Sequence, residues 1–492
     1  MPWYPPDLIF VSNSNAMLKS FLIFSFSFIS FLAFGQAAHY WTESFGTRSM
    51  LLNGVVVGSV EDLGAVYYNP ARLSQFESPA FVISGQVYEL NSITIKNGLG
   101  DGLDLNESNF GGGPSLVSGT FKLGFLEGHQ FAYAFLSRSR SSNSFSFSVD
   151  EFGDFVKAFP GDEYFSGEVL SSNSRNDEWM GLSWSYPLSE NLSVGATGFY
   201  SNFNRASQAR IQLQAYSLDS LQSGIYIENR AYSYKSQSLL GKLGVSWAKD
   251  KYSIGLTITT PKLQGIGSGN TKFETFLAGV DTTGNGQTDD IYIIDNQTDL
   301  DVIHKSPWSV AMGAGIRLGK RSILHLSTEW FAPIPEYTIL QSNEFTGQST
   351  GQTLQIVVQD NLQSTINYGL GLEIFVNKNL SFFSSFATDF APVDSDIRRL
   401  SEFTSAINDN TFKADIFHFG FGTDFRTKFA DLTIGATYAT SKEDVKRNFT
   451  IDDGQDPVTT DAQILYSRWR FLIGFEFHFL DGVKDKFEVK EN

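Results

Sequence analysis

From about residue 80 onward the chain is written in two-residue periods. Along 463–479 one face carries Leu465, Ser467, Trp469, Phe471, Ile473, Phe475, Phe477 and Phe479. The other carries Tyr466, Arg468, Arg470, Leu472, Gly474, Glu476 and His478. Along 415–426, Phe417, Phe419, Phe421 and Phe425 lie opposite His418, Gly420, Gly422 and Asp424. Successive side chains of a strand point to opposite faces, so this period specifies strands. A ladder of Phe backed by Arg, Glu and His suits a strand set between lipid and a wet lumen. A soluble sandwich shows the same period with its apolar residues inward, so alternation alone leaves both open.

The connections separate the two. Tight polar turns fall at 126–129, 189–191, 249–251, 319–321, 377–379 and 427–428. Long polar loops fall at 96–114, 148–164, 218–224, 263–305, 332–362, 391–411 and 441–462. Short and long connections alternate, the asymmetry of bacterial outer-membrane barrels with their tight periplasmic turns. The segments between them give an all-β chain of fourteen antiparallel strands: 80–95, 115–125, 129–147, 165–187, 191–217, 225–248, 251–262, 306–318, 321–331, 363–376, 379–390, 412–426, 429–440 and 463–479. An even count puts both ends of the barrel on the periplasmic side.

The apolar run 21–34 (FLIFSFSFISFLAF), with Lys19 before it and Gly35-Gln36-Ala37-Ala38 after it, reads as a secretory signal peptide. It is short for a spanning helix. Met17 is the expected start, and residues 1–38 are assigned to an upstream extension plus leader, with the mature chain beginning between Ala37 and His39. Residues 39–79 are rich in small and apolar side chains and need burial. The only place for them is the barrel interior, so 39–79 is expected to be a luminal hatch, 80–479 the barrel and 480–492 a periplasmic tail.

Composition narrows the class further. The 492 residues contain 45 Phe, more than the 36 Lys and Arg together, and no Cys. Without Cys there are no disulfides, thiolate metal sites or cysteine nucleophiles. A net charge of −17 argues against a nucleic-acid partner. A mean hydropathy of −0.13 argues against a bundle of membrane helices but is what alternating barrel strands average to.

The stretch from Gly58 to Leu73 then carries a motif: Tyr67, Tyr68, Asn69, Pro70, Ala71 and Leu73. It resembles the hatch signature of the outer-membrane long-chain fatty acid transporter family, which includes the toluene and xylene uptake porins. Arg72 departs from it, standing where the family has Gly. The resemblance implies a 14-stranded barrel closed by an N-terminal hatch, and passive uptake of hydrophobic compounds with a lateral opening at a kinked strand. No pocket residues carry over from it.

Several residues are candidates for particular chemistry. Phe45, Leu51, Leu52 and Tyr67 are candidate path-lining residues, with packing against the wall as the alternative. Arg468 and Arg470 share a lumen face and are expected to pair with Glu61 and Asp62, since a buried plug carrying acids needs cations on the wall. Asp281, Asn285 and Asp289 surround glycines in a degenerate calcium loop; it lacks the acidic residue near 283 and the closing Glu, so a solvated acidic turn is preferred and no cofactor is expected. The six His are scattered, and no G-x-S-x-G elbow, P-loop or dinucleotide fingerprint occurs, so His418 with Asp424 and His478 with Glu476 read as lumen lining rather than catalytic groups.

The expected function is therefore a passive, non-enzymatic channel for long-chain fatty acids or aromatic hydrocarbons. It would work as a monomer surrounded by lipid in the outer membrane of a Gram-negative bacterium. A barrel of the same shape serving as a subunit of a secretion or surface-assembly complex is the alternative, and an outer-membrane hydrolase a further one.

Overall fold

The computed structural model describes residues 39–75, 80–100, 103–154, 156, 158–281, 285–393, 406–408, 414–427, 429–449 and 458–478. The expected leader, the barrel's end at 479 and the tail over 480–492 lie outside these residues.

Fourteen antiparallel strands close into a ring. They are β1 (Ala80–Gly100), β2 (Leu103–Phe121), β3 (Gln130–Gly153), β4 (Glu163–Pro187), β5 (Leu192–Ser217), β6 (Ser223–Lys249) and β7 (Tyr252–Thr259). The second half comprises β8 (Ser309–Leu318), β9 (Ser322–Phe331), β10 (Thr365–Asn377), β11 (Leu380–Asp389), β12 (Ile416–Arg426), β13 (Ala430–Phe449) and β14 (Val458–His478). Each pairs with its neighbours in sequence, and β1 closes on β14 from Ala80↔His478 to Lys96↔Gln463. The ring satisfies most of the strand backbone internally, which hydrocarbon demands, and the β2–β3 ladder alone is short, with six pairs among the described residues.

The faces follow the alternation. Phe417, Phe419, Phe421, Phe425, Trp469 and Phe471 are exposed on the outside, while His418, Asp424, Arg468, Arg470 and Glu476 are buried on the inside.

The long connections differ from the expected loops. Much of 96–114 and 441–462 continues β1, β2, β13 and β14 upward, and 263–305 folds largely as a hairpin, Leu263–Val280 with Asp289–Leu300. That hairpin pairs with the upper half of β6, from Ile225↔Ala278 to Leu239↔Leu263, while β7 takes the lower half. Residues 332–362 contribute Ile334–Gln341 and Val357–Leu362, whose Ile339, Leu340 and Val358 pack on Phe203, Tyr232 and Tyr234 of the inner wall. Outside lipid a strand no longer needs an apolar face, so polar stretches that read as loops keep the ladder.

The N-terminal segment lies within the ring. Its side chains and backbone meet β5 at Gly195, β6 at Gly244, β7 at Gly255, β8 at Gly313, β10 at Gly369 and Gly371, β12 at Gly422, β13 at Gly435 and β14 at Gly474. A chain that touches strands on opposite sides of a closed ring, on the faces turned from lipid, is inside it. It contains two single-turn helices, α1 (Arg48–Leu51) and α2 (Ala65–Tyr68), and a 3-10 stretch, Pro70–Gln75. Glycine on the wall makes the close approach: a Cβ on Gly255 would sit 2.2 Å from the Val57 carbonyl oxygen, and one on Gly435 2.4 Å from Leu51 Cδ2.

Candidate functional site

The motif 67–73 is held by its own polar groups. Asp62 accepts from the backbone N–H of Ser49 (2.7 Å) and Gly64 (2.9 Å) and from Ser49 Oγ (2.8 Å), which fixes the turn before α2. Burial raises the pKa of this carboxyl against the pull of those donors. Pro70 cannot continue α2, and the fully buried Asn69 replaces the lost backbone bonds. Its Nδ2 donates to the Val57 carbonyl (2.9 Å) and to the Val245 carbonyl of β6 (3.1 Å), and its Oδ1 accepts from Ala71 N–H (3.2 Å). Arg72 has a use that glycine could not serve, since its Nε donates to the Val60 carbonyl at 3.1 Å. Asn69→Ala removes the side-chain partner of two buried backbone groups, the Val57 carbonyl and the Ala71 N–H, and of the half-buried Val245 carbonyl. It is expected to cost about 1–3 kcal/mol of docking, read as faster amide exchange over 63–73 with the barrel's own exchange unchanged.

The two tyrosines part at this turn. Phe45 N–H donates to the Tyr68 hydroxyl (3.0 Å) inside the segment. Tyr67 turns its ring to a cavity, resting 4.5 Å from Phe45 and 6.0 Å from Trp179 by ring centroids. Burial pushes the Tyr67 phenol up to about 12, so the ring is neutral. The cavity measures about 100 Å³. Tyr67, Trp179 and Leu240 line it together with residues 304–307, Asp360 and Leu362 from the long connections. Five cations line it, Arg138, Arg175, Lys242, Lys262 and Lys305, against three carboxylates, Asp177, Glu329 and Asp360.

The carboxylates are largely engaged. Asp177 receives Lys262 Nζ (2.7 Å), Trp179 Nε1 (2.9 Å) and Ser201 Oγ (2.7 Å), and Glu329 receives Trp41 Nε1 (2.8 Å) and Ser309 Oγ (2.6 Å). Lys242 instead donates to Thr259 Oγ1 (2.9 Å) and lies 4.2 Å from the Tyr67 ring centre. The Arg138 guanidinium lies 5.8 Å from the same ring and donates to the Tyr40 carbonyl at 2.8 Å.

Of the four candidate path residues, the structure brings only Tyr67 to this cavity. Phe45, Leu51 and Leu52 are fully buried between segment and wall, with Leu51 against Gly422 and Gly435 and Leu52 against Gly371. The expected ion pairs are also rearranged. Arg470 pairs with Glu43, and with Glu89 of β1 at 2.5 Å, while Arg468 lies 3.9 Å from Glu43. Both arginines donate to the Thr42 carbonyl at 2.8 Å. Glu61 pairs with Arg48 at 2.9 Å, and Asp62 shares Thr47 with Glu476. The reason is height. Glu476 is six residues below Arg470 on β14, roughly 20 Å at the rise of a strand, so the acids at 61 and 62 sit at the wrong level.

In the turn at 281–289, Asp281 accepts from the backbone of Asn285 (3.2 Å) and Gly286 (2.7 Å). Residues 282–284 lie outside the described part, and no group of three metal-binding side chains occurs among the described residues. His418 lies 3.7 Å from Asp389 rather than beside Asp424; Asp389 also accepts from Tyr40 N–H and Thr42 Oγ1, both at 2.9 Å.

Among the described residues the wall has one seam. β2 pairs with β3 over six positions only, from Phe121↔Phe131 to Leu116↔Leu136. Above them stand Gly111, Gly112, Gly113 and Pro114; proline has no N–H to donate, and three glycines bring no side chains to pack. Still higher, side chains close the gap, Asn109 Nδ2 donating to the Ser142 carbonyl (3.0 Å) and Ser144 N–H to Glu107 (2.7 Å). Exposed Phe135, Val87 and Phe110 place the seam within the apolar belt. Behind it is a second cavity of about 330 Å³, lined by Glu43, Glu89, Asn109, Arg140 and Arg470 among others. His39 and Tyr40 line the first cavity and Glu43 the second, so residues 39–43 form the partition between them.

No protein-family model and no curated protein matches the chain. Among solved structures, it is similar to a FadL homologue from Pseudomonas aeruginosa, at 12% identity and TM-score 0.52, covering 90% of this chain and 100% of that one. It is also similar to the P. putida toluene transporter TodX, at 12% identity and TM-score 0.53, covering 89% and 99%. A TodX deletion mutant described as a monoaromatic hydrocarbon channel gives TM-score 0.51 at 12% identity, covering 89% and 100%. The chain thus has the fold of these proteins, of which TodX is described as a toluene transporter and its deletion mutant as a hydrocarbon channel.

Proposed function

We propose that this chain is a passive channel of the Gram-negative outer membrane for hydrophobic small molecules, with 39–75 as its hatch and the β2–β3 seam as its exit. It works as a monomer, since its own strands close the ring, and lipid is its surroundings and the destination of its cargo. Both FadL-like and hydrocarbon-carrying barrels share the fold, so the lining has to choose the cargo. The observation that carries the choice is the set of five cations over an aromatic floor of Tyr67 and Trp179. A neutral hydrocarbon has no use for that charge, whereas a long-chain carboxylate presents an anionic head to the cations and a tail to the rings. The preferred cargo is therefore an amphiphile with an anionic head.

The seam supports lateral exit on physical grounds. Backbone without a ladder at membrane depth is tolerated only where it lines a cavity, and the seam backs onto one. The chain has no cysteine, which gives a clean test. In Gly111→Cys/Arg140→Cys, where a Cβ at 111 meets nothing within 4 Å, a reducible bis-thiosulfonate linker across the seam is expected to stop laurate uptake by cells while laurate binding to the purified protein persists. Reductant should restore uptake. Unimpaired uptake through a bridged seam would refute the exit, and absence of binding would refute the channel.

A further inference from the structure

The cavity beside Tyr67 is too small for the cargo it would serve. At about 100 Å³ it falls below the roughly 300–1,000 Å³ of ligand pockets, so a bound amphiphile needs space that only the hatch or the roof can yield. The contacts of Tyr67 show where the hatch is held. Its ring faces both Lys242 (4.2 Å) and Arg138 (5.8 Å). Lys242 is buried, and among the described residues no carboxylate lies within ion-pair distance of it. Its close partners are the Thr259 hydroxyl and the Tyr67 ring, and the Glu329 carboxylate acts on it only from farther off. A desolvated ammonium gains more from an anion than from a ring.

Building on the channel reading, we propose that Tyr67 is a latch: Lys242 and Arg138 hold its ring in the closed hatch, and the anionic head of the entering amphiphile frees it by taking over both cations. Binding and opening are then one exchange of partners. Arg138 also donates to the Tyr40 carbonyl, so the same exchange loosens the partition toward the seam cavity. A neutral lipophile of equal tail length cannot make the exchange, because it offers the cations nothing.

The experiment is amide exchange over 63–70 in the full-length protein in non-ionic detergent, with sodium laurate or 1-dodecanol added and the binding of each measured by calorimetry. In the native protein, laurate is expected to speed exchange about tenfold, the scale of a desolvated cation–π contact, and dodecanol to leave it unchanged. Tyr67→Leu should exchange fast without ligand and respond little to laurate. Tyr67→Phe, which keeps the ring, should retain the laurate response, and Lys242→Met should lose it. Unaltered heat-dependent gel mobility establishes that each variant's barrel is folded. Laurate that binds without speeding exchange, or dodecanol that speeds it equally, overturns the latch while leaving the channel reading in place. If neither compound binds, both fall.

Discussion

Arg470→Met is expected to free residues 39–43 from the wall while the barrel stays closed. The guanidinium is shared between Glu43 of the N-terminal segment and Glu89 of β1, and it also donates to the Thr42 carbonyl. Glu43 and Arg470 are both buried. Removing one partner of such a set leaves two carboxylates without their cation, at a cost of about 3–5 kcal/mol. At about 1.4 kcal/mol per factor of ten, exchange of amides 40–50 should rise on the order of 100-fold or more. Arg468, 3.9 Å from Glu43, is placed to compensate only in part. The triple substitution Arg470→Met/Glu43→Gln/Glu89→Gln removes charge from both sides and should recover most of the protection, because a buried pair replaced as a unit is near neutral. If Arg470→Met leaves exchange over 40–50 unchanged, the arginine does not hold the partition.

Gly313→Val should have a comparable effect at a different point and by steric means. Gly58 of the hatch and Gly313 of β8 meet backbone to backbone. A Cβ on Gly313 would lie 2.7 Å from Gly58 N and 2.9 Å from the Leu326 carbonyl oxygen, and one on Gly58 would lie 2.3 Å from the Gly313 carbonyl oxygen. None of these atoms ends a flexible side chain: the Gly58 contact is relieved only if the N-terminal segment moves away, and the Leu326 carbonyl of β9 has to give by a few tenths of an ångström within the wall. Overpacking of this kind costs about 1–3 kcal/mol or more, and valine otherwise suits a strand. The expected result is a folded barrel with raised conductance in planar bilayers and faster exchange over 55–60. Gly198→Ala is the control, because a Cβ there meets nothing within 4 Å. Wild-type conductance in Gly313→Val would show that the contact does not seat the hatch.

Much of the ring is legible in the residues themselves. The alternation of Phe417, Phe419, Phe421 and Phe425 against His418 and Asp424 sets which face meets lipid, because a strand has only two faces. The spacing of tight turns sets the number of strands. The seam is not legible: residues 111–114 fall at the end of the polar stretch 96–114, whereas in the structure β2 runs through them without its β3 neighbour. Lys242 and Arg138 carry no sequence signal as a pair. They lie on β6 and β3, more than a hundred residues apart, and each is one of many cations on an inner face.

The sequence by itself determined the strand period, the strand count, the inside and outside of the wall, and the burial of the segment before β1. These depend on neighbours two residues apart or on composition, which a linear chain displays. Which residue of the N-terminal segment meets which wall residue was decided only by the tertiary structure. It set Arg470 against Glu43 rather than Glu61 or Asp62, made Leu51 packing and Tyr67 lining, and gathered five cations at one cavity. Those outcomes depend on how high each residue stands on its strand and how far around the ring it lies. Closure and the path of the hatch fix both coordinates, and no local pattern encodes them.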